Sequence, residues 1–311
     1  MCPFVAHVRT MNLKNWLLMS LMVVGTACGV STVEVDGVDA ESLADDSQDL
    51  STTKDTFVIA RRDYRRCVSP MCGGYWVKDL NSTMQERYVS AFDLSQSNIP
   101  AALQGEVTGA PDNMLVLLGR LGPKENRFDT RTFVVQAAYR GMPGKTFAAT
   151  DNFYGLFPSK IACIRAPCAY IQTTRLNRTT GHTMSTDINV TAALGAFVDE
   201  NWLMSRAFSG KTVVAGKVVR KNGHVTVTAS QVFVQLPDRV AACPNDPAPT
   251  CSNGTTPSYT RTPDRCTEPT GQCTPFGVCA YYVPACEAGY RQVSYMNICP
   301  RYACEPEFLE E

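Results

Sequence analysis

The sequence predicts a mainly β protein with short helices, built from two tandem five-stranded domains and a disulfide-rich C-terminal module. Three observations lead to this fold class. A segment with two cysteines recurs 96 residues further along the chain, each copy carries five strand-length runs rich in β-branched and aromatic residues, and cysteines crowd the C-terminal region. With 311 residues, the chain is long enough for two modest hydrophobic cores.

Composition narrows the classes of function. The chain has 29 Lys and Arg against 29 Asp and Glu, and 44% of its residues are hydrophobic. These values exclude a disordered chain and a strongly basic nucleic-acid binder. Of the three histidines, His7 lies before the predicted mature start, which leaves His182 and His224 for any imidazole chemistry.

The N-terminal region predicts export. From Met11 the chain has a basic residue, Lys14, then an apolar run over 16–24 and small residues before Cys28. The apolar run is shorter than the ~20 residues that a membrane-spanning helix needs. The end of the run resembles a bacterial lipoprotein signal, which implies that residues 1–28 form the signal peptide, that Cys28 carries the lipid, and that the outer membrane holds the mature chain.

Cysteine counting supports this interpretation. Of 14 cysteines, Cys2 is removed with the signal, and lipidation of Cys28 leaves 12, an even number that suits six disulfides in an oxidising compartment. The alternative is an ordinary signal peptide that leaves one unpaired thiol. Residues 29–55 are acidic and lack apolar periodicity, and we expect a disordered tether there.

The internal repeat sets the two central domains, which we place at residues 56–142 and 151–238. Four residues of the first copy match four of the second without a gap. The matches are Cys67, Cys72, Leu80 and Asn81 with Cys163, Cys168, Leu176 and Asn177. Matches further along, such as 135–137 with 230–232, extend the duplication over the length of both copies.

Each copy is predicted to contain five strands and one short helix. The strands of the first copy are expected at 57–60, 75–77, 88–94, 115–121 and 132–139, and those of the second at 153–157, 170–176, 183–190, 212–219 and 225–234. Asn222-Gly223 predicts a tight hairpin. The helix follows the third strand, capped by Ser97 or Asn98 in the first copy and beginning near Asp199 in the second. This order matches the five-stranded barrel of the OB type, with a half-open sheet covered by the helix as the alternative.

The repeat cysteines are expected to close two small disulfide rings, Cys67–Cys72 and Cys163–Cys168. The alternative is a zinc site made from all four, which their spacing and the oxidising compartment disfavour. We therefore expect no metal.

The C-terminal region is predicted as two segments. Residues 239–265 have the composition of a proline-rich linker in which Cys243 and Cys251 join. Residues 266–311 are expected to fold around three disulfides whose pairing the sequence leaves open among 15 arrangements. The cysteines of this module are Cys266, Cys273, Cys279, Cys286, Cys299 and Cys304. The Cys-x-x-Gly-Tyr element at 286–290 resembles small antistasin-like or EGF-like modules.

A basic and aromatic cluster is the candidate binding site. It comprises Arg61, Arg62, Arg65, Arg66, Tyr75, Trp76 and Lys78. Guanidinium groups and aromatic rings together bind anions and stack on rings, and OB barrels bind ligands on this face. The compartment disfavours nucleic acid, so the expected partner is an anionic glycan, a lipid headgroup or a protein. The alternative is a solvated loop in which Tyr75 or Trp76 fills the core.

Motifs for catalysis are missing from the sequence. It has no Gly-x-Ser-x-Gly element, phosphate loop, dinucleotide fingerprint or His-Glu-x-x-His. We therefore expect neither an enzyme nor a cofactor.

The motif at 65–77, with its Cys-x4-Cys-x2-Tyr core, resembles an uncharacterised tandem-domain family of exported lipoproteins from soil-dwelling Gram-negative bacteria. The resemblance covers about residues 56–236 and implies location and domain limits. The leading hypothesis is a non-catalytic outer-membrane lipoprotein that binds an envelope component or a partner protein. The alternatives are a protease inhibitor acting through the cysteine-rich tail and an envelope hydrolase.

Overall fold

The computed structural model describes residues 50–124, 129–164, 166–179, 181–238, 242–279 and 282–309. The predicted signal peptide, Cys28 and the acidic segment up to residue 49 lie outside the described residues. In the described ranges, no helix is long and apolar enough to cross a membrane.

The central part of the chain consists of two halves with the same order of elements. The first half has six strands, β1 to β6, at Thr56–Arg62, Tyr75–Asp79, Arg87–Val89, Phe92–Asp93, Leu115–Lys124 and Arg131–Gly141. The second half has β7 to β12 at Asn152–Pro158, Ile171–Arg175, His182–Ser185, Asp187–Asn189, Thr212–Lys221 and His224–Leu236. Short helices, α1 at Gln104–Thr108 and α2 at Glu200–Phe208, precede β5 and β11. The mainly β class with short helices is thus confirmed.

The two halves, predicted as tandem domains, share one 12-stranded sheet. Its main path runs β3-β2-β1-β5-β6-β12-β11-β7-β8-β9, so the sheet is open with β3 and β9 at its edges. The third predicted strand of each half is broken in two, and its second piece returns to the last strand in a short parallel pairing, β4 on β6 and β10 on β12. Closed OB-type barrels are not confirmed and stay a prediction.

Pairing between β6 and β12 joins the halves. Four antiparallel pairs connect them, with Arg140 opposite Val234 near the centre. A β-bulge at the same place in each half shows which residues of the two halves are equivalent. Gly119 faces Val135 in the first half, and Gly216 faces Ala229 in the second. Val135 therefore corresponds to Ala229, one residue earlier than the match predicted from the sequence.

Local signals explain the second half's helix and hairpin. The side chain of Asp199 accepts hydrogen bonds from the backbone N–H of Asn201 and Trp202, a helix cap worth about 1 kcal/mol. Both Asn222 and Gly223 have positive φ, as the predicted two-residue turn requires. In the first half the predicted cap is wrong. Pro100 precedes the short turn that leads into α1, and no side chain caps it.

Two asparagines clasp the halves reciprocally. Asn81 donates from Nδ2 to the carbonyls of Phe153 and Leu176, and its Oδ1 accepts from Phe153 N. Asn177 makes the equivalent bonds to Phe57 and Leu80 of the first half. Phe57 and Phe153 also contribute to a second apolar cluster that lies between the outer faces of the two halves.

The cysteine-rich tail forms two disulfide-stapled hairpins. The first pairs β13 (Thr255–Arg261) with β14 (Thr267–Pro275), and the second pairs β15 (Tyr290–Met296) with β16 (Pro300–Pro306). Four disulfides hold them, two for each hairpin. They are Cys243–Cys266, Cys251–Cys273, Cys279–Cys299 and Cys286–Cys304.

This pairing corrects two sequence predictions. Cys243 and Cys251 do not join each other, and the segment predicted as a linker is half of the first hairpin. Pro257 lies at an irregularity in β13, and a two-stranded ribbon tolerates proline because each strand has an outer edge that needs no N–H donor. The module therefore begins at Cys243 and not at residue 266.

The tail packs on the central halves. Tyr290, Phe308 and Leu309 are buried in the main core, which also contains the interiors of both halves. The Tyr290 hydroxyl donates to the carbonyl of Pro143. Burial in this contact raises the pKa of Tyr290 far above its ordinary value.

The end of the predicted tether is also part of the fold. Residues 50–55 are described, and Leu50 is buried in the main core. Its backbone N–H donates to Oδ2 of Asp79, which is itself buried. The end of the segment predicted as a tether therefore contacts the fold through Leu50, Ser51 and Asp55.

Candidate functional site

The predicted basic cluster forms around Trp76. The guanidinium carbon of Arg65 lies 4.8 Å from the centre of the Trp76 ring and that of Arg61 lies 5.6 Å away. Arg65 also lies 5.3 Å from the ring centre of Tyr88, whose edge meets Trp76. The sequence thus identified a real cation–π cluster but missed Tyr88, which β3 pairs directly with Trp76.

Internal carboxylates already hold two of the four arginines. Two guanidinium nitrogens of Arg65 donate hydrogen bonds to the Asp63 carboxylate at 2.9–3.0 Å. Arg61 forms an ion pair with Glu86 at 2.5 Å. Arg65 also donates to the carbonyl of Met71 inside the Cys67–Cys72 ring. This part of the cluster therefore stabilises the loop itself.

The remaining predicted residues separate into two groups. Arg62, Arg66 and Lys78 are exposed. Tyr75 instead stacks on Phe92, packs against the main core and donates its hydroxyl to the carbonyl of Thr108. The structure thus removes Tyr75 from the surface site.

The Arg65–Asp63 pair predicts a pH-dependent contribution to stability. Hydrogen bonds from Arg65 hold the pKa of the Asp63 carboxyl at about 2, against the opposing effect of burial. Because the folded-state pKa is below the unfolded value, the stabilisation is complete above about pH 4 and is lost as the pH falls towards 2. We expect Asp63→Asn and Arg65→Gln to flatten the fall in unfolding free energy between pH 4 and pH 2. Denaturation at a series of pH values measures it, and curves parallel to wild type would contradict it.

A second cluster of cations lies in the second half, where the sequence predicted no site. Arg175 of β8 and Lys217 and Arg220 of β11 line a cavity of about 320 Å³. None of the described residues that line this cavity is acidic. The uncharged polar residues in its wall are Thr150, Asn152, Tyr154, Thr173 and Thr183.

The cavity opens from the interior of the second half. Tyr154 lies two residues from Leu156 on β7, and Thr173 lies two residues from Ile171 on β8, so these wall residues share faces with core residues.

Arg175 donates from one terminal nitrogen to Asn152 Oδ1 at 2.5 Å. Its Nε is buried and has no hydrogen-bond partner in the part of the chain that the structure describes. A buried guanidinium N–H without a partner is costly and favours an added acceptor.

A comparison of the two repeat copies could have indicated this cavity from the sequence. In the gapless match of the two copies, Asp79 corresponds to Arg175, and the register agrees, since Asp79 faces Val58 and Arg175 faces Tyr154. A reversal of charge at one position of a duplicated fold indicates that the two copies have different roles there.

Disulfides occupy the four repeat cysteines. Cys67 is bonded to Cys72, and Cys163 to Cys168, so they do not form the alternative zinc site. Among the described residues, no group of three or more His, Cys, Asp or Glu side chains is placed to hold a metal ion. The six disulfides indicate an extracellular or exported protein.

Comparison with protein families identifies the family of the duplicated β region. A family model described as a domain of unknown function, DUF6748, matches residues 56–239. The chain belongs to the DUF6748 family. The DUF6748 match begins at β1 and ends just after β12, so it contains both halves and both candidate sites, and it leaves out Leu50 and the two hairpins of the tail.

One curated relative extends beyond the DUF6748 domain. An uncharacterised protein of Dictyostelium discoideum is 29% identical over 253 residues, which cover 79% of this chain and 85% of the relative. That share of the chain is larger than the DUF6748 match. No solved structure matches the chain.

Proposed function

We propose that this protein is an exported, non-catalytic binding protein whose duplicated β body binds an anionic envelope component or partner protein. The observation that carries the proposal is the cavity of the second half, which Arg175, Lys217 and Arg220 line and whose described wall includes no acidic residue. The volume of about 320 Å³ is at the lower end of the range of ligand cavities. Charge-assisted hydrogen bonds from guanidinium groups favour carboxylate or phosphate ligands.

The basic loop of the first half is a weaker candidate for this role. Two of its arginines are neutralised by Asp63 and Glu86, and its exposed cations, Arg62, Arg66 and Lys78, lie on an open surface. Exposed single charges bind weakly because water and salt screen them.

Titration with tripolyphosphate tests the proposal. We expect binding that weakens with salt and falls at least 10-fold when Arg175, Lys217 and Arg220 are all changed to Gln, because three charge-assisted contacts are lost. Isothermal titration calorimetry of the folded chain measures both. The matched control changes Arg62, Arg66 and Lys78 to Gln, which removes the same charge from the other surface.

The two triple variants distinguish the cavity from the basic loop. Binding that survives the control but not the cavity variant supports the proposal. Equal losses in both variants, or binding that neither variant weakens, would overturn the cavity as the site.

We also propose that lipidated Cys28 anchors the protein at the outer membrane. The lipoprotein-like signal and the six disulfides support this proposal. In a bacterial host we expect palmitate labelling and globomycin-sensitive processing, both absent in Cys28→Ala. Persistent labelling of the variant would refute the anchor.

A further inference from the structure

In the first half, a segment of the chain itself occupies the place that corresponds to the cavity of the second half. At the equivalent place in the first half, the side chain of Leu50 fills the interior, and the half-buried Ser51 follows it at the edge. Leu50 N donates to Asp79 Oδ2, and the Leu50 carbonyl accepts from Arg87. The Ser51 carbonyl accepts from the backbone N–H of Leu121 on β5. We call residues 50–51 the plug.

The residues that hold the plug correspond to wall residues of the cavity. Asp79 corresponds to Arg175, as shown above. Arg87 faces Val77 on the neighbouring strand, and Thr183 faces Thr173, the equivalent of Val77.

Leu121, the third residue that holds the plug, also has an equivalent in the cavity wall. It lies two residues after the bulge glycine Gly119 and faces Phe133, whereas Val218 lies two residues after Gly216 and faces Val227. Arg175, Thr183 and Val218 all line the cavity. The cavity is therefore the plug site of the second half, and none of the described residues fills it as Leu50 fills the first.

We propose that the cavity of the second half binds an extended acidic polypeptide segment in the manner of the plug. The proposal deepens the proposed function, on which it rests. In the first half the occupant is polypeptide, recognised through its backbone by one hydrogen bond to the Asp79 side chain and one to strand β5. The same architecture in the second half favours the same class of ligand.

Charge reversal at one position selects an acidic segment. Asp79 accepts from the N–H of the plug, but Arg175 can only donate, so the occupant of the cavity has to offer an acceptor there. Arg220, on the same face of β11 as Val218, adds positive charge, and the exposed Lys217 also lines the cavity. A segment with carboxylates beside an apolar residue satisfies both the cations and the interior surface.

Residues 41–53 of this chain provide a suitable probe. They contain Glu41, Asp45, Asp46 and Asp49 next to Leu50, which already fits the plug site of the first half. A fluorescent synthetic peptide of this sequence is titrated with the full chain and followed by anisotropy. We expect binding that weakens about 10- to 100-fold in Arg175→Asp, which gives the cavity the carboxylate of the first half.

Matched variants isolate the cavity from general charge effects. Lys217→Glu, at an exposed position of the cavity wall, is also expected to weaken binding. Because Lys217 is exposed, this variant tests the cavity even if Arg175→Asp fails to fold. Lys78→Glu changes an exposed cation on the other half by the same charge and is expected to bind the peptide within twofold of wild type. A peptide in which Glu41→Gln, Asp45→Asn, Asp46→Asn and Asp49→Asn remove the charges is expected to bind at least 10-fold more weakly.

Hexagalacturonate, an anionic glycan, serves as the competing ligand class. If it binds at the cavity and the peptide does not, the polypeptide inference is overturned while the proposed function stands. The same holds if tripolyphosphate alone binds. If none of the three probes binds, both fail. Peptide binding that is unchanged in both Arg175→Asp and Lys217→Glu overturns the inference in its own right.

Discussion

Replacing Asp238 by Asn will lower the free energy of unfolding by about 3–5 kcal/mol, because it breaks a buried ion pair on one side only. Both oxygens of Asp238 accept strong bonds. Oδ1 accepts from Arg206 Nε at 2.5 Å and Oδ2 accepts from the Trp202 indole N–H at 2.8 Å. An Asn amide nitrogen must face one of these two donors in either orientation, and Arg206 keeps its charge with 5% of its side chain exposed.

Asp264 provides the matched control, since it pairs with the same arginine from the surface. It accepts from Arg206 at 2.9 Å but is 57% exposed. We expect Asp264→Asn to cost no more than about 1 kcal/mol, as exposed ion pairs do. Equilibrium denaturation with the disulfides intact measures both variants. Equal small losses would mean that the Asp238 pair is not buried in solution.

The effect of Asp238 extends to the tail. Its backbone carbonyl accepts from Arg265 at 2.8 Å, and Arg265 in turn pairs with Glu305 of β16. The network therefore connects α2, the end of β12 and both hairpins of the tail. We expect the tail of Asp238→Asn to exchange its backbone amides faster than that of wild type, because its docking contacts weaken.

The strands could be predicted because local composition determines them, whereas the assembly of the halves could not. The runs at Leu115-Val116-Leu117 and Val232-Phe233-Val234 are buried at every residue. Such continuous apolar runs indicate strands buried on both faces. That signal implies that another part of the chain covers the outer face of the strand, but it does not identify that part. The pairing of β6 with β12 depends on residues nearly 100 positions apart.

The candidate site was only partly predictable for a similar reason. The composition of 61–66 revealed the cations, but Glu86, which neutralises Arg61, lies 25 residues away, in the loop just before β3. Conversely, the cations of the cavity are isolated in sequence, since Arg175 and Arg220 stand on separate strands that β7 brings together. Charge that is dispersed in sequence becomes a site only through the register of the sheet.

The reciprocal asparagine clasp carries the second large prediction. We expect Asn81→Asp to lower the unfolding free energy by about 3 kcal/mol, because the carbonyls of Phe153 and Leu176 lose a donor and meet a carboxylate instead. Aspartate preserves the left-handed backbone conformation of Asn81, whose φ is 56°, and preserves the acceptor for Phe153 N. The loss therefore isolates the donated bonds from backbone strain. Denaturant titration measures it.

Asn222→Asp is the control, since Asn222 also has a positive φ, of 51°, but is exposed in a hairpin turn. It is expected to change stability by no more than about 0.5 kcal/mol. Asn177→Asp should match Asn81→Asp, because its bonds to Phe57 and Leu80 mirror those of Asn81. The double variant is expected to cost less than the sum of the two, since breaking one clasp lets the halves move and weakens the other. Strict additivity would show that each clasp stabilises its own turn and that β6–β12 pairing and the second apolar cluster hold the halves together.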